Sequence, residues 1–373
     1  MSKYASKDLG ACRTILGMSV HRDRPARMIQ LDQGTHVLAM LASIGMSECV
    51  RRDTPEQVGM KLSSNDGPSA EEDSQVSAER TQAYQSIVGK LMYISLSTRP
   101  DIAHAVNQLS RFQSRPGVAH LDAAYHVVRY LRGCPSLPLM LGHAAASSHD
   151  QMHRRVDIES SYDQLGPMSI RVDAYADADW GGDVEDRKST TGYVIRVNGS
   201  SISWQSKKQA TVALSTAEAE YMAISMCLQE VKWIHQLLTE VGLRAEPSYI
   251  FELGSTVPDG VEHEVSSIIF TDNRAAESLC QSDATQHART KHIDIRHHFI
   301  RDAMRSREVD VAWVEIGDQI ADCLTKALDK QTFKKQREMI LGECSSSESI
   351  ASPSVSRGPP AAASAAQSSP RSM

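Results

Sequence analysis

The sequence predicts an α/β protein, a mixed five-stranded sheet flanked by helices, preceded by a mainly helical portion. From Met168 to Gly342, stretches with alternating polarity and stretches with helical periodicity follow in the order βββαβαβα, which folds as a mixed sheet with helices on its faces. Asn198-Gly199 separates two of the alternating stretches, a hairpin signal. From Tyr84 to Gly133 apolar residues recur at three and four: Ile87, Leu91, Ile94; Ile102, Val106, Leu109; Ala124, Val127, Val128, Leu131. Breaks at Arg99-Pro100 and Pro116-Gly117 divide that segment into three expected helices.

MSIRVDAYADADW, TTGYVIRVNG and SSISWQSKKQ are three antiparallel strands. A long helix is expected from Thr216 to Val241, stopped by Gly242. SSIIF is a buried strand that ends in an acid and leads into a helix. TKHIDIRHHFIRDAMRSRE reads as helix, VDVAWVEI as strand, and DQIADCLTKALDKQTFKKQREMI as the closing helix.

At the start of the long helix, LSTAEAEYMAIS carries two glutamates. Ser215 and Glu218 form an S-x-x-E capping box. Glu220 lies roughly 200° further round the helix and points toward its buried face, where a capping role is out of reach.

Composition narrows the function classes. The 373 residues, 41% of them apolar, suffice for about two domains, and a formal charge of −6 gives no global basic field, so a nucleic-acid partner must be held locally. Seven cysteines without a C-x-x-C are expected as reduced packing or surface residues. His287, His292, His297 and His298 lack zinc-site spacing. With no apolar run near ~18 residues and no apolar signal core in MSKYASKDLG, a soluble chain without an export signal is expected. Polar stretches at Thr54–Ser77, at 143–167 and from 343 onward read as a surface connection, a linker and a disordered tail, dividing the chain into 1–142, 143–167, 168–342 and 343–373.

Four acids fall at element ends, where a mixed sheet gathers them: Asp177, Glu220, Asp272 and Asp322. Carboxylates crowded together repel unless cations neutralise them, and hard oxygen ligands suit Mg²⁺ or Mn²⁺. Two ions about 4 Å apart can stabilise both the attacking and the leaving oxygen of a phosphodiester. Asp179 would share a strand face with Asp177 and competes for the first ligand position. Asp173, Asp183 and Asp186 read as solvated acids, and Asp318 as a cap of the last helix. Trp180, Trp204, Trp233 and Trp313 read as core, with Trp204 placed at a strand end that could face a substrate.

YADADW, EYMA, FTDNRAA and DQIADCLTK resemble the four acidic motifs of ribonuclease H in the form carried by copia-type LTR retrotransposons, and DRKSTTGYV, ISWQSKKQ, LSTAEAEY and RTKHIDIRHHF extend the likeness. Upstream, KDLGACRTILGMSV, SIVGKLMYISLSTRPDIAHAVNQLSRF and AAYHVVRYLRG resemble the part of the same Pol polyprotein that follows the reverse transcriptase active site. The resemblance implies a ribonuclease H-like fold and hydrolysis of the RNA strand of an RNA–DNA hybrid. It implies two Mg²⁺ (or Mn²⁺) ions on Asp177, Glu220, Asp272 and Asp322, and it favours Asp177 over Asp179. On the family's motif positions Arg289, Lys291 and His298 are expected to pack or to touch substrate phosphate, while Lys207 and Lys208, which follow a strand, are read as candidate grips on the hybrid backbone. The resemblance implies an intracellular location, cytoplasmic in a virus-like particle or nuclear, and the upstream reverse transcriptase part as a partner.

The sequence holds no Asp-Asp pair, so no polymerase activity is expected of this chain. No histidine motif precedes Asp318 that would supply a general acid for product release. The competing expectation is a catalytically silent, transposon-derived fragment that binds nucleic acid or nothing, and retention of all four acids opposes it. DNA strand transfer of the integrase kind uses a different, three-acid pattern.

Overall fold

The computed structural model describes residues 10–69, 74–142, 169–245, 248–249, 264–281 and 291–342. Its centre is a five-stranded sheet. Strands β5 (Val172–Asp179), β6 (Thr190–Val197) and β7 (Ser200–Lys208) form an antiparallel meander, and β8 (Ser267–Thr271) and β9 (Asp310–Trp313) extend it in parallel, giving the order β9-β8-β5-β6-β7. Asn198 and Gly199 both take positive φ (49° and 78°), as a tight two-residue hairpin with right-handed strand twist requires.

The pleat sorts the residues of β5 into two layers. Val172, Ala174, Ala176 and Ala178 pack with helix α5 (Thr216–Glu240), whose buried stripe includes Ala223, Ile224, Cys227, Leu228 and Val231, with Ala276 of α6 (Arg274–Gln281) and with Ile300 of α7 (Lys291–Arg305). On the opposite face Tyr175, Val194, Ile268 and Phe270 join a second core. That core also takes in Leu324, Phe333, Ile340 and Leu341 near the end of the sheet portion, together with Leu91, Ile94, Ile102, Leu109 and Val127 of the N-terminal portion. One apolar layer thus crosses from one portion of the chain to the other.

In the N-terminal portion, helices α2 (Ser74–Ser97), α3 (Ala103–Ser110) and α4 (Val118–Gly133) follow the expected periodicity. The expected break at Arg99-Pro100 is more than a break. Fully buried Arg99 grips Asp101 through Nε (2.9 Å) and Nη2 (2.8 Å) and donates from Nη1 to the Cys134 carbonyl at 2.9 Å. The Tyr130 hydroxyl adds a 2.5 Å bond to Asp101.

The mainly helical expectation leaves out a small sheet. Strands β1 (Thr14–Ile15), β2 (Met18–Asp23), β3 (Met28–Asp32) and β4 (Leu139–Gly142) form an antiparallel sheet in sequence order, and α1 (Gly34–Ser43) precedes the polar connection. The connection itself ends sooner than expected, since α2 begins at Ser74. No described helix is long and apolar enough to cross a membrane. The segments expected as linker and tail lie outside the described residues.

The last stretch departs from one continuous helix. It is split into 3₁₀ turns at Ile316–Asp318 and Ile320–Leu324 and then α8 (Lys330–Leu341), which Asp329 caps through the N–H groups of Gln331 and Thr332. Asp318 therefore caps no helix; it accepts from Lys335 Nζ at 3.0 Å.

Candidate active site

Asp177 lies near the C-terminal end of the central strand, and Asp272 directly follows β8, the parallel neighbour of that strand. Parallel pairing puts the two strand ends side by side, so their acids meet. Asp322 arrives from the 3₁₀ turn, which buried Gln319 pins to β5 through a 2.9 Å bond from Nε2 to the Ala176 carbonyl. Gly192 of β6 lets the turn approach: a Cβ there would stand 2.6 Å from Thr325 Cγ2 and 2.8 Å from Leu324 Cβ. Asp177, Asp272 and Asp322 each offer an oxygen within 4.8 Å of the others, the arrangement a metal ion needs.

Glu220 completes the group from the helix side. Ser215 Oγ accepts from the Glu218 N–H at 3.1 Å, starting α5 at a fixed point. The Glu218 carboxylate takes the Leu214 N–H at 2.8 Å, one residue before the N–H that a standard capping box would use. Glu220, buried, then turns inward. Its carboxyl lies close enough to Asp177 and Asp272 to feel both charges, and its Oε2 has no hydrogen-bond partner.

The electrostatics follow from crowding. Burial first, then the charges of Asp177 and Asp272, push the Glu220 carboxyl up to about 10. Burial and Asp177 raise Asp322 to about 7, against the opposing pull of Lys326. Asp272, half-buried, is raised by burial and by Asp177. An all-oxygen donor set, largely buried and with the Glu220 Oε2 unsatisfied, fits hard divalent cations.

Two neighbours were not singled out in the sequence. Thr325 donates from Oγ1 to Asp177 Oδ2, and Lys326 Nζ stands 2.8 Å from Asp322 Oδ1. Desolvation works against the Lys326 ammonium, but Asp177 and Asp322 hold its pKa above the ordinary lysine range. The signal was present, since Lys326 lies four residues after Asp322, a spacing that brings two side chains together on the expected helix as it does on this turn.

The remaining candidates scatter. Lys207 is exposed at the end of β7, whereas Lys208 is held by Asp183 and Asp186 at 2.9 Å each. His298 is exposed on α7. Arg289 and the side chain of Lys291 lie outside the described residues. Asp179 is near the cluster but outside the trio, and burial raises its carboxyl.

Of the acids expected on the surface, Asp186 is exposed, while Asp173 is buried against Arg196 and Asp183 is buried against Arg111 and Lys208. Sequence alternation cannot reveal a buried ion pair contributed by a neighbouring strand or by a distant helix. Trp204 packs against the core that the two portions share, donating from Nε1 to the Ser95 carbonyl at 2.8 Å. Trp180 and Trp233 are 48% and 56% exposed rather than core.

A mixed sheet of this order, with carboxylates gathered where β5 and β8 end beside α5, defines a ribonuclease H-like domain. Over about nine-tenths of its length the chain is similar to retrovirus-related Pol polyproteins of plant transposons. It is 34% identical over 337 residues to the Pol polyprotein of transposon TNT 1-94 of Nicotiana tabacum, covering 90% of this chain and 22% of that one. It is 33% identical over 332 residues to that of transposon RE1 of Arabidopsis thaliana, covering 89% of this chain and 19% of the relative. The chain thus spans about a fifth of the length of these relatives. No protein-family model matches it. The solved LC11-RNase H1 in complex with an RNA/DNA hybrid overlaps 43% of this chain and 99% of its own at 14% identity and a TM-score of 0.28, a superposition too loose to bear on the site.

Proposed function

We propose that the chain is a metal-dependent endonuclease that hydrolyses the RNA strand of RNA–DNA hybrids. The observation that carries the reading is the convergence of Asp177, Asp272 and Asp322 within 4.8 Å, with the buried carboxyl of Glu220 beside them under the charges of Asp177 and Asp272. Asp177, Glu220, Asp272 and Asp322 would hold two Mg²⁺ or Mn²⁺ ions, which supply Lewis-acid stabilisation of the attacking and leaving oxygens when bound.

The protein's own groups prepare that chemistry. Thr325 fixes the orientation of the Asp177 carboxylate, and Gln319 fixes the turn that bears Asp322. Half-buried Asp272 leaves the cluster open on one side, while Asp177, Glu220 and Asp322 are shielded from bulk water. Exposed Lys207 and His298 are proposed contacts to the hybrid backbone, and Arg289 and Lys291 are proposed on motif resemblance alone. Lys208 could join them only by leaving Asp183 and Asp186. Selectivity for the hybrid would come from groove shape and 2′-hydroxyl contacts rather than from base reading. The upstream reverse transcriptase part of the polyprotein is the proposed partner, and an intracellular site the proposed location.

The test is a labelled hybrid incubated with the full chain and Mg²⁺, beside EDTA, duplex RNA and duplex DNA controls. Cleavage of the RNA strand with Mg²⁺ alone is expected. Cleavage that persists in EDTA, or that prefers duplex DNA, overturns the proposal.

A further inference from the structure

The two portions of the chain meet along a seam, and several contacts from the N-terminal portion converge on one loop. That loop, residues 180–189, joins β5 to β6 immediately after Asp179. Arg111, at the end of α3, pairs through Nη2 with Asp183 and lies 3.8 Å from Glu185 Oε2, while its Nη1 is oriented by Gln108 Oε1 at 2.8 Å. Lys61 Nζ donates to the Gly182 carbonyl at 3.1 Å, and the Ser64 N–H donates to the Glu185 carboxylate. The loop presses in turn on the strand end: a Cβ at Gly182 would fall 1.6 Å from Asp179 Oδ2.

Arg111 is not needed to form the loop. Asp183 already accepts from the N–H groups of Glu185 (2.9 Å) and Asp186 (3.2 Å) and pairs with Lys208 at 2.9 Å, all within the sheet portion. What Arg111 adds is a tie between portions, with one side only 18% exposed and the other 3%. A cavity of about 250 Å³ lies behind the tie, lined by Lys61, His104 and Arg111 on one side and by Asp179, Thr325 and Lys326 on the other. Thr325 and Lys326 are the neighbours that touch Asp177 and Asp322.

We propose that the N-terminal portion is a working part of the nuclease and that Arg111, with Lys61, is a positioning residue. By clamping the 180–189 loop it fixes the end of β5, and with it Asp177 and Asp179, against the other carboxylates. The inference rests on the proposed nuclease reading of that cluster.

The test uses the full chain with Arg111→Gln, Arg111→Lys and, as a control elsewhere on the seam, Trp204→Phe, which removes the bond to Ser95 and part of the ring packed against the shared core. The readouts are kcat and KM on a hybrid, the Mg²⁺ concentration for half-maximal rate, Mn²⁺ binding without substrate, and Tm. Arg111→Gln is expected to lower kcat about tenfold and raise the Mg²⁺ requirement with KM little changed, since small misplacements of catalytic groups carry large rate penalties. Arg111→Lys should recover part of the loss. Trp204→Phe should lower Tm at least as far with kcat intact. The proposal is overturned if Arg111→Gln keeps the wild-type kcat and Mg²⁺ requirement, or if Trp204→Phe loses activity in equal measure. If the wild-type chain neither binds Mn²⁺ nor cleaves, the reading of the carboxylate cluster itself has failed, and the positioning role falls with it.

Discussion

The Thr325 hydroxyl donates to Asp177 Oδ2, joining the turn after the last sheet strand to the central strand across 148 residues of sequence. The same side chain packs its methyl where a Cβ on Gly192 would sit. Thr325→Val keeps that shape and removes only the hydroxyl. Stability should fall by about 1 kcal/mol, the usual net worth of one hydrogen bond. Hybrid cleavage should fall about tenfold as Asp177 loses its fixed orientation. Thr325→Ser should behave nearly as wild type in the same assay.

Gly192 itself offers a packing test. A methyl at that position meets Thr325 Cγ2, Leu324 Cβ and, at 3.0 Å, the Ala321 carbonyl, so the turn carrying Asp322 must move. Gly192→Ala is expected to cost about 1–3 kcal/mol of stability, typical of overpacking. Cleavage should fall further than the shift in denaturation midpoint explains. A variant with wild-type rate and stability would mean that the turn does not need its close approach.

Acid stability should be governed partly by Asp101. Burial alone would raise its carboxyl, but the Arg99 guanidinium and the Tyr130 hydroxyl hold it below the ordinary carboxylate range. A carboxyl lowered on folding stabilises fully above its unfolded value, about 4, and loses that contribution as pH falls through its folded value. Asp101→Asn leaves Arg99 buried without its counter-charge and should cost about 3–5 kcal/mol at pH 7. Denaturant titrations of both proteins should show the gap narrowing below about pH 4. A gap that stays constant into acid would show that Asp101 is not the charged partner.

What was legible in the sequence, and what was not, follows the range of the signals. The meander, the hairpin at Asn198-Gly199, the start of α5 and the four converging acids all come from local periodicity, capping or short motifs. The buried pairs Arg196–Asp173 and Arg111–Asp183 join residues far apart in sequence, so their acids looked like surface ones. The turn at Ile320–Leu324 reads as helix because its apolar spacing suits either form. Only the approach of Gly192 and the tether of Gln319 select the tighter one. The small sheet of β1 to β4 was missed because β4 returns to β3 only after more than a hundred residues of helix and connection.

The roles assigned to the acids can be separated by three substitutions. Asp272→Asn keeps volume and hydrogen bonding while removing a ligand charge, so cleavage should fall by orders of magnitude with the fold intact. Metal-free stability should stay level or rise, because Asp177 and Asp272 repel each other and relief of one such pair is worth on the order of 1 kcal/mol. Glu220→Gln should be comparably inactive. Its burial already disfavours the charged form, so the neutral amide is tolerated in the fold. Glu218→Gln should retain cleavage, since the amide oxygen can still accept from the Leu214 N–H, and melting temperature should drop only slightly. Cleavage rates and melting curves for the three variants decide the matter. If Glu218→Gln is the inactive one and Glu220→Gln cleaves normally, the two glutamates at the start of α5 have exchanged their proposed roles.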